Sequence, residues 1–151
     1  MSRRLALTAT TLVVAALAVA PAHAAGSKTI KGSYKVTLMP DPTAEATGLV
    51  NDGCSSMNPS SVDNHAFVVP GAGSLTVTLD APDPAGSAAT DWDLWLLDGD
   101  GTINTGSHGE TSHEEAVAKY KKGQKITIQV CNLAGAPDGT VTYTFVPAKK
   151  K

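Results

Sequence analysis

Cysteine, positive charge and long apolar runs are all scarce in this chain of 151 residues. Two cysteines are too few for a disulfide-dense miniprotein or for a four-cysteine zinc site. Lysine and arginine number 12 against 14 acidic residues, and the resulting net charge of −2 argues against a dedicated nucleic-acid-binding protein. The length predicts one domain at most, without room for an enzyme and an appended binding module.

The apolar run that the chain does contain lies near its N-terminus and has the pattern of an export signal. The basic pair Arg3-Arg4 precedes the apolar segment Leu12–Ala20, and Ala22-His23-Ala24 places small residues where signal peptidase requires them. The run is shorter than the roughly 20 residues of a membrane-spanning helix. We therefore predict a signal peptide over residues 1–24, cleaved near Ala24, and a secreted product without membrane insertion.

Export decides how the two cysteines are interpreted. Cys54 and Cys131 enter an oxidising compartment, where two thiols usually form a disulfide. A catalytic thiol is the alternative, but neither cysteine has a local signature of an activating histidine. We predict a Cys54–Cys131 disulfide that closes a long loop.

Alternation of apolar and polar residues dominates the remaining sequence and predicts strands. Segments rich in Asp, Ser, Pro and Gly separate the strands and predict long loops at 41–63 and 82–87 and turns at 98–101 and 137–139. We predict an all-β fold, a single jelly-roll-like antiparallel β-sandwich. The alternating segments are 29–38, 65–69, 75–80, 91–97, 126–130 and 141–145.

One segment carries two conflicting signals. Ser112–Lys122 begins with the spacing of a helical capping box and continues with good helix formers. The same residues alternate, with Ala116, Ala118 and Tyr120 on one side, as a strand would require. We predict a strand, because a sandwich edge overrides weak local propensity.

Charge is unevenly distributed along the sequence. Thirteen acidic residues and no Lys or Arg lie between Lys35 and Lys119, whereas seven lysines follow from Lys119 onward. One interpretation is a set of solvated faces with a basic C-terminal tail at 148–151. The other is an acidic loop face suited to a hard cation such as calcium.

Several short motifs together resemble the bacterial pre-peptidase C-terminal domain. The strand and turn Asp91–Gly101 resemble its Asp-x-Asp-Leu-x-Leu strand and acidic turn, and Phe67–Val77 is similar to its preceding strand pair. Lys122–Val130 and Tyr143–Phe145 are similar to its late and closing strands. The resemblance extends from about His65 to Val146.

This resemblance implies a jelly-roll-like sandwich with a non-catalytic role. Members of that family are usually appended to secreted peptidases and are associated with secretion or with binding protein or polysaccharide, and some relatives bind calcium. We expect no peptidase before this domain, unlike in most family members, and the Cys54–Cys131 pair is not part of the family's general motif. The fold is therefore expected to transfer better than the role.

Four aspartates form a candidate calcium site. Asp91, Asp93, Asp98 and Asp100 provide several carboxylates within ten positions, and calcium requires six to eight oxygen ligands. An EF-hand is excluded because the glycine and glutamate positions counted from Asp98 hold other residues. The alternative is a polar strand face with an Asp-Gly hairpin that needs no metal.

The two tryptophans fall on opposite faces of one predicted strand. Trp92 shares its face with Leu94 and Leu96 and is expected in the core. Trp95 is then expected beside Asp91 and Asp93 with a partly exposed indole, where it would contact a sugar or an apolar side chain. Alternatively, both faces of the strand are covered.

No motif marks an enzyme. A Gly-x-Ser-x-Gly elbow is absent from the sequence, and the spacing of His108, Glu110 and His113 matches no His-Glu-x-x-His helix. We predict a β-sandwich over residues 25–147 that is monomeric and binds an extracellular protein or polysaccharide. The competing hypotheses are a structural or envelope-associated protein without a discrete ligand and a small secreted hydrolase.

Overall fold

A computed structural model describes residues 28–41, 43, 51–54, 56–83 and 90–149. The predicted signal peptide, 1–24, lies outside these residues, as do Lys150 and Lys151 of the predicted tail. The described elements are nine strands and one 3₁₀ turn, Pro59–Ser61. The strands are β1 Ile30–Thr37, β2 Asn51–Cys54, β3 Val62–Val68, β4 Gly73–Asp80, β5 Asp91–Asp98, β6 Ile103–Ser107, β7 His113–Tyr120, β8 Lys125–Ala134 and β9 Asp138–Pro147.

Eight of the strands form two four-stranded antiparallel sheets. The first sheet has the order β1-β9-β4-β7 and the second the order β3-β8-β5-β6. Most neighbouring strands within each sheet are distant in sequence, as in sandwiches rather than simple meanders. The predicted all-β sandwich is confirmed.

The core lies between the sheets and follows the alternation of the sequence. Leu75, Val77 and Leu79 of β4 and Leu94 and Leu96 of β5 are completely buried in one apolar cluster. Trp92, also completely buried, belongs to the same cluster. Each large apolar side chain buried here stabilises the fold by about 1.5–3 kcal/mol relative to exposure.

The ambiguous segment Ser112–Lys122 contains a strand, as predicted. In β7 the side chains of Ala116, Ala118 and Tyr120 point into the core and those of Glu115, Val117 and Lys119 are exposed. Backbone pairing with β4 along eight residues supplies the hydrogen bonds that an isolated helix would otherwise make internally.

Four details differ from the sequence-based expectations. The segment 41–63, predicted to be a loop, contains β2 and the 3₁₀ turn Pro59–Ser61, and a hydrogen bond from the Cys54 N–H to Gln129 holds β2 against β8. The strand expected at 65–69 begins earlier, at Val62. Residues 103–107 form β6, which the sequence analysis did not predict. The predicted turn at 137–139 falls slightly earlier, because β8 continues to Ala134 and Gly135 adopts a φ of 92°. Within the described ranges, no helix is long and apolar enough to cross a membrane.

Candidate functional site

Strand β5 places the predicted site residues on the face that points away from the core. Alternation directs Trp92, Leu94 and Leu96 inward, and so directs Asp91, Asp93 and Trp95 to the opposite face. That face is nevertheless covered, since six consecutive residues from Asp91 to Leu96 are buried. The second of the two alternatives for this strand is therefore observed.

A disulfide bond holds in place the Cys54 segment, which covers this face of β5. Cys54 and Cys131 are bonded, with 6.1 Å between their Cα atoms, which confirms the predicted pair. The Cys54 N–H donates a hydrogen bond to Gln129 Oε1 at 3.0 Å, and Gln129 Nε2 donates to Asn64 Oδ1 at 2.9 Å. Both Cys131 and Gln129 lie on β8, so the Cys54 segment is fixed to the centre of the second sheet.

Trp95 lies in a second, smaller apolar cluster beneath this cover. The cluster joins Trp95 to Cys54, Cys131 and Leu133, and the exposed His108 stacks on the indole with 5.1 Å between ring centroids. Trp95 is 5% exposed. The prediction of a partly exposed indole is therefore wrong, because the disulfide-bonded segment and His108 cover the ring.

A buried carboxylate that the sequence analysis did not single out lies next to this region. Glu114 is 2% exposed and accepts hydrogen bonds from the Ser107 hydroxyl, the Gly109 N–H at 3.2 Å and the Thr111 hydroxyl at 2.7 Å. It thereby holds the loop between β6 and β7. The signal was available in the sequence, since Glu114 shares the inward phase of β7 with Ala116.

Asp93 lies on this face and has a strongly raised pKa. Burial, followed by the charges of the neighbouring Asp91 and Glu114, raises the pKa of Asp93 to about 7. The nearby Trp95 indole lowers the pKa of Asp93 and so offsets part of this rise. The indole N–H nevertheless forms no hydrogen bond of ordinary geometry with any described group. Asp93 is thus half protonated near neutral pH.

The other two candidate calcium ligands lie at the opposite end of β5. Asp98 Oδ1 accepts a hydrogen bond from Asn104 Nδ2 at 3.3 Å, and Asp100 Oδ1 accepts one from the Thr102 N–H at 3.0 Å. The Thr102 backbone, and then its hydroxyl, lower the pKa of the exposed Asp100. The Asp98–Gly101 segment is a turn, as predicted, with Gly101 at a φ of 86°.

The strand separates these aspartates into two pairs. Asp91 and Asp98 are seven residues apart on an extended strand, a Cα separation of about 23 Å. Calcium–oxygen bonds are only about 2.3–2.6 Å long, so one ion could be bound by one pair at a time. Across the described ranges, no group of three or more His, Cys, Asp or Glu side chains is arranged to hold a metal ion.

The histidines of the β6–β7 region do not form a shared site. His108 stacks on Trp95, whereas His113 Nδ1 pairs with Asp80 Oδ1 at 2.5 Å on the outer face of the first sheet. The hydrogen bond to Asp80, followed by the charge of Asp80, raises the pKa of His113. A His108–Glu110–His113 zinc site is accordingly not assembled in the described structure.

The surface pockets among the described residues include two at opposite ends of the first sheet. One, of about 310 Å³, lies where β1 ends and β9 begins and is lined by Lys35, Asp138 and mostly small neighbours. The other, of about 460 Å³, lies where β4 begins and where β7 and β9 end, and includes Lys119 and Tyr120. Neither of these two pockets combines a nucleophile with a histidine or a pair of carboxylates.

Comparisons with known proteins find likenesses of structure alone. No protein-family model matches the chain, and no curated protein sequence matches it. Among solved structures it is similar to the pre-peptidase C-terminal domain of a collagenase from Bacillus anthracis, with 18% identity over 79% of this chain and 88% of that one, at a TM-score of 0.40. The resemblance noted from the sequence motifs thus recurs in the structural comparison.

Two further solved structures show comparable likeness. The periplasmic inhibitor of g-type lysozyme from Aeromonas hydrophila has 12% identity over 85% of this chain and 93% of that one, with a TM-score of 0.41. A family 35 carbohydrate-binding module from Clostridium thermocellum has 12% identity over 81% and 100% of the two chains, with a TM-score of 0.39. Likenesses at this level carry no argument about family membership or function.

Proposed function

We propose that this chain is an exported, non-catalytic β-sandwich that binds an extracellular protein or polysaccharide. The signal-peptide pattern of residues 1–24 supports export, and the Cys54–Cys131 disulfide is of the kind that persists in oxidising compartments. Residues 25–147 would then form one monomeric binding domain, followed by the basic tail 148–151.

One observation carries the non-catalytic part of this proposal. The side chains best suited to catalysis or ligand binding are buried in the framework. Glu114 holds the β6–β7 loop, Asp93 is 3% exposed, and Trp95 packs against the Cys54–Cys131 disulfide. A general acid or base must reach a substrate proton within hydrogen-bonding distance. Buried and already engaged groups favour a structural use of these residues over a hydrolytic one.

The test is binding and turnover measured on the same polymers. The purified protein is incubated with insoluble chitin, cellulose, peptidoglycan and collagen, and both co-sedimentation and release of soluble fragments are followed. We expect retention on at least one polymer without fragment release. Sustained release that is lost in an Asp93→Asn variant would instead establish a hydrolase, and the absence of retention on every polymer would favour the structural alternative.

Calcium stabilisation is a separate proposal. Asp91 and Asp93 support it because they are neighbours on one buried face, where the charge of Asp91 contributes to the raised pKa of Asp93 and a bound cation would relieve this repulsion. Asp98 and Asp100 at the far end of β5 would belong to a different ion. Thermal unfolding in calcium, with substitutions at each pair, separates the two pairs.

A further inference from the structure

The exposed lysines are collected at one end of the sandwich, which we call the basic end. This end consists of the first residues of β1, β4 and β8 and the last residues of β3, β7 and β9, which antiparallel pairing brings together. Seven of the eight lysines whose side chains are described lie there, and all seven are exposed. They are Lys28, Lys31, Lys119, Lys121, Lys122, Lys125 and Lys149.

Acidic side chains occupy the opposite end. Of the twelve acidic residues whose side chains are described, Asp98 and Asp100 lie at the basic end and the other ten lie toward the opposite end, with Lys35. An eight-residue strand such as β4 is about 26 Å long. That length exceeds the Debye length of about 8 Å at physiological ionic strength, so the acidic end does not cancel the field around the lysines.

A mostly apolar pocket opens among these lysines. It has a volume of about 460 Å³ and is lined by Gly73 and Ser74 of β4, Lys119 and Tyr120 of β7, and the segment 146–148, with Ala72 completing the wall. This volume falls within the range of small-molecule sites. The pocket can accommodate the uncharged face of one sugar unit while a surrounding lysine contacts an acidic substituent.

We propose that the basic end binds an acidic polysaccharide, with a sugar unit in the pocket beside Lys119 and charged groups along the β7–β8 turn. The inference rests on the proposed function and specifies its ligand class and site. A polymer is favoured over a small anion because Lys31 and Lys119 lie on opposite edge strands of the first sheet, three interstrand intervals or about 14 Å apart.

A polysaccharide is also favoured over a lipid surface. The large apolar side chains exposed at the basic end are Ile30, Val68 and Val146. Surfaces that insert into lipid instead present Trp, Phe or Leu beside their lysines. Hydroxyl-bearing sugar rings match a shallow pocket of small residues better than acyl chains do.

Dextran sulfate and unmodified dextran provide a matched pair of probes, since they share a backbone and differ in charge. We expect the oxidised protein to bind dextran sulfate at low salt, to bind dextran at least tenfold more weakly, and to release dextran sulfate in high salt. Each lysine near an anionic surface contributes about a fivefold factor to affinity. A K119Q/K121Q/K122Q/K125Q variant should therefore bind at least about 100-fold more weakly.

Two controls separate the site from general charge and from misfolding. The corresponding four arginine substitutions preserve charge and should retain binding. Lys122→Glu and Lys35→Glu change the net charge by the same amount, at exposed positions on opposite ends of the sandwich. Only Lys122→Glu should weaken binding by tenfold or more. Circular dichroism and thermal unfolding confirm that each variant is folded.

Three results would overturn the inference. Equal weakening by K122E and K35E would mean that binding is not located at the basic end. Tighter binding to phosphatidylglycerol vesicles than to dextran sulfate would identify a lipid surface instead. Retention on a neutral polysaccharide or on collagen, without binding to dextran sulfate, would overturn this inference while leaving the proposed function intact; retention on none of these polymers would overturn both.

Discussion

The imidazole ring of His108 stacks on the indole of Trp95, with ring centroids 5.1 Å apart and an interplanar angle of 11°. Trp95 is 5% exposed even though its strand face points away from the sandwich core. Because His108 itself is exposed, this one side chain separates the indole from solvent on its side. Removing this contact therefore tests directly whether the outer face of β5 is covered.

Replacing His108 with alanine should uncover Trp95. We expect a red shift of tryptophan emission and stronger quenching by acrylamide, because Trp92 stays completely buried and Trp95 becomes accessible. Loss of the aromatic contact should lower the free energy of unfolding by only about 0.5–1.5 kcal/mol. His113→Ala serves as the control, since His113 pairs with Asp80, and an equal change in quenching there would contradict the assignment.

Substitution of Gly106 should also displace the Trp95 indole. A Cβ atom built at Gly106 would lie 2.1 Å from Trp95 Cε3, far inside van der Waals contact. Gly106→Ala should therefore lower the unfolding free energy by about 1–3 kcal/mol, the range for overpacking. Gly71→Ala is the control, because nothing lies within 4 Å of its built Cβ, and urea unfolding of both variants measures the difference.

The sequence predicts the sandwich well because alternation reports burial directly. In β4 and β9 one face is buried and the other is solvated, so period-two patterns identify both strands and their inward residues. The same reasoning chose a strand at Ser112–Lys122 against its helical propensity. Strand β6, with the sequence INTGS, has no such alternation and is formed by pairing with β5.

The candidate site is predicted less well because a second covering layer does not appear as periodicity. Trp95 and Asp93 alternate with core residues, which indicates exposure for a two-layer sandwich. The Cys54 segment adds a third layer over that face, and this depends on a disulfide and on Gln129, which are distant in sequence. The cysteine pair was predicted, but the surface that it covers was not.

Removing the disulfide should strongly destabilise the fold. The two cysteines are 77 positions apart, and closing a loop of that length restricts the unfolded chain by about 4–5 kcal/mol in the chain-entropy model. The Cys54→Ser/Cys131→Ser double variant should unfold at a correspondingly lower urea concentration. Its Trp95 emission should be quenched more strongly by acrylamide. Unchanged urea unfolding would mean that the loop contributes no constraint.

Calcium binding is tested by thermal unfolding in calcium chloride, in chelator and in magnesium chloride at equal ionic strength. A ligand that binds only the native state raises the melting temperature by mass action. We expect calcium to raise it, and Asp91→Asn to abolish the rise while Asp98→Asn leaves it unchanged. If neither substitution alters a calcium-dependent rise, or no rise occurs, β5 carries no calcium site.

Asp93 should make the protein less stable as pH rises toward neutrality. Its pKa is about 7 in the folded protein because of burial and of the nearby Asp91 and Glu114 carboxylates, whereas the unfolded value is near 3.9. Between these two values the folded state binds the extra proton, so the unfolding free energy is highest at or below about pH 4 and falls as pH rises through about 7. The slope from this group approaches roughly 1.4 kcal/mol per pH unit at its steepest.

Asp93→Asn isolates that contribution. The amide keeps the shape of the neutral carboxyl group and cannot ionise, so the variant should lose the slope between about pH 4 and 7 and be more stable than the parent protein at pH 8. Asp138→Asn, at an exposed residue that accepts a hydrogen bond from the Thr37 hydroxyl, is the matched control and should retain the slope. Urea unfolding from pH 4 to 8 measures all three proteins, and identical pH profiles for D93N and the parent would show that Asp93 is ionised throughout this range in the native state.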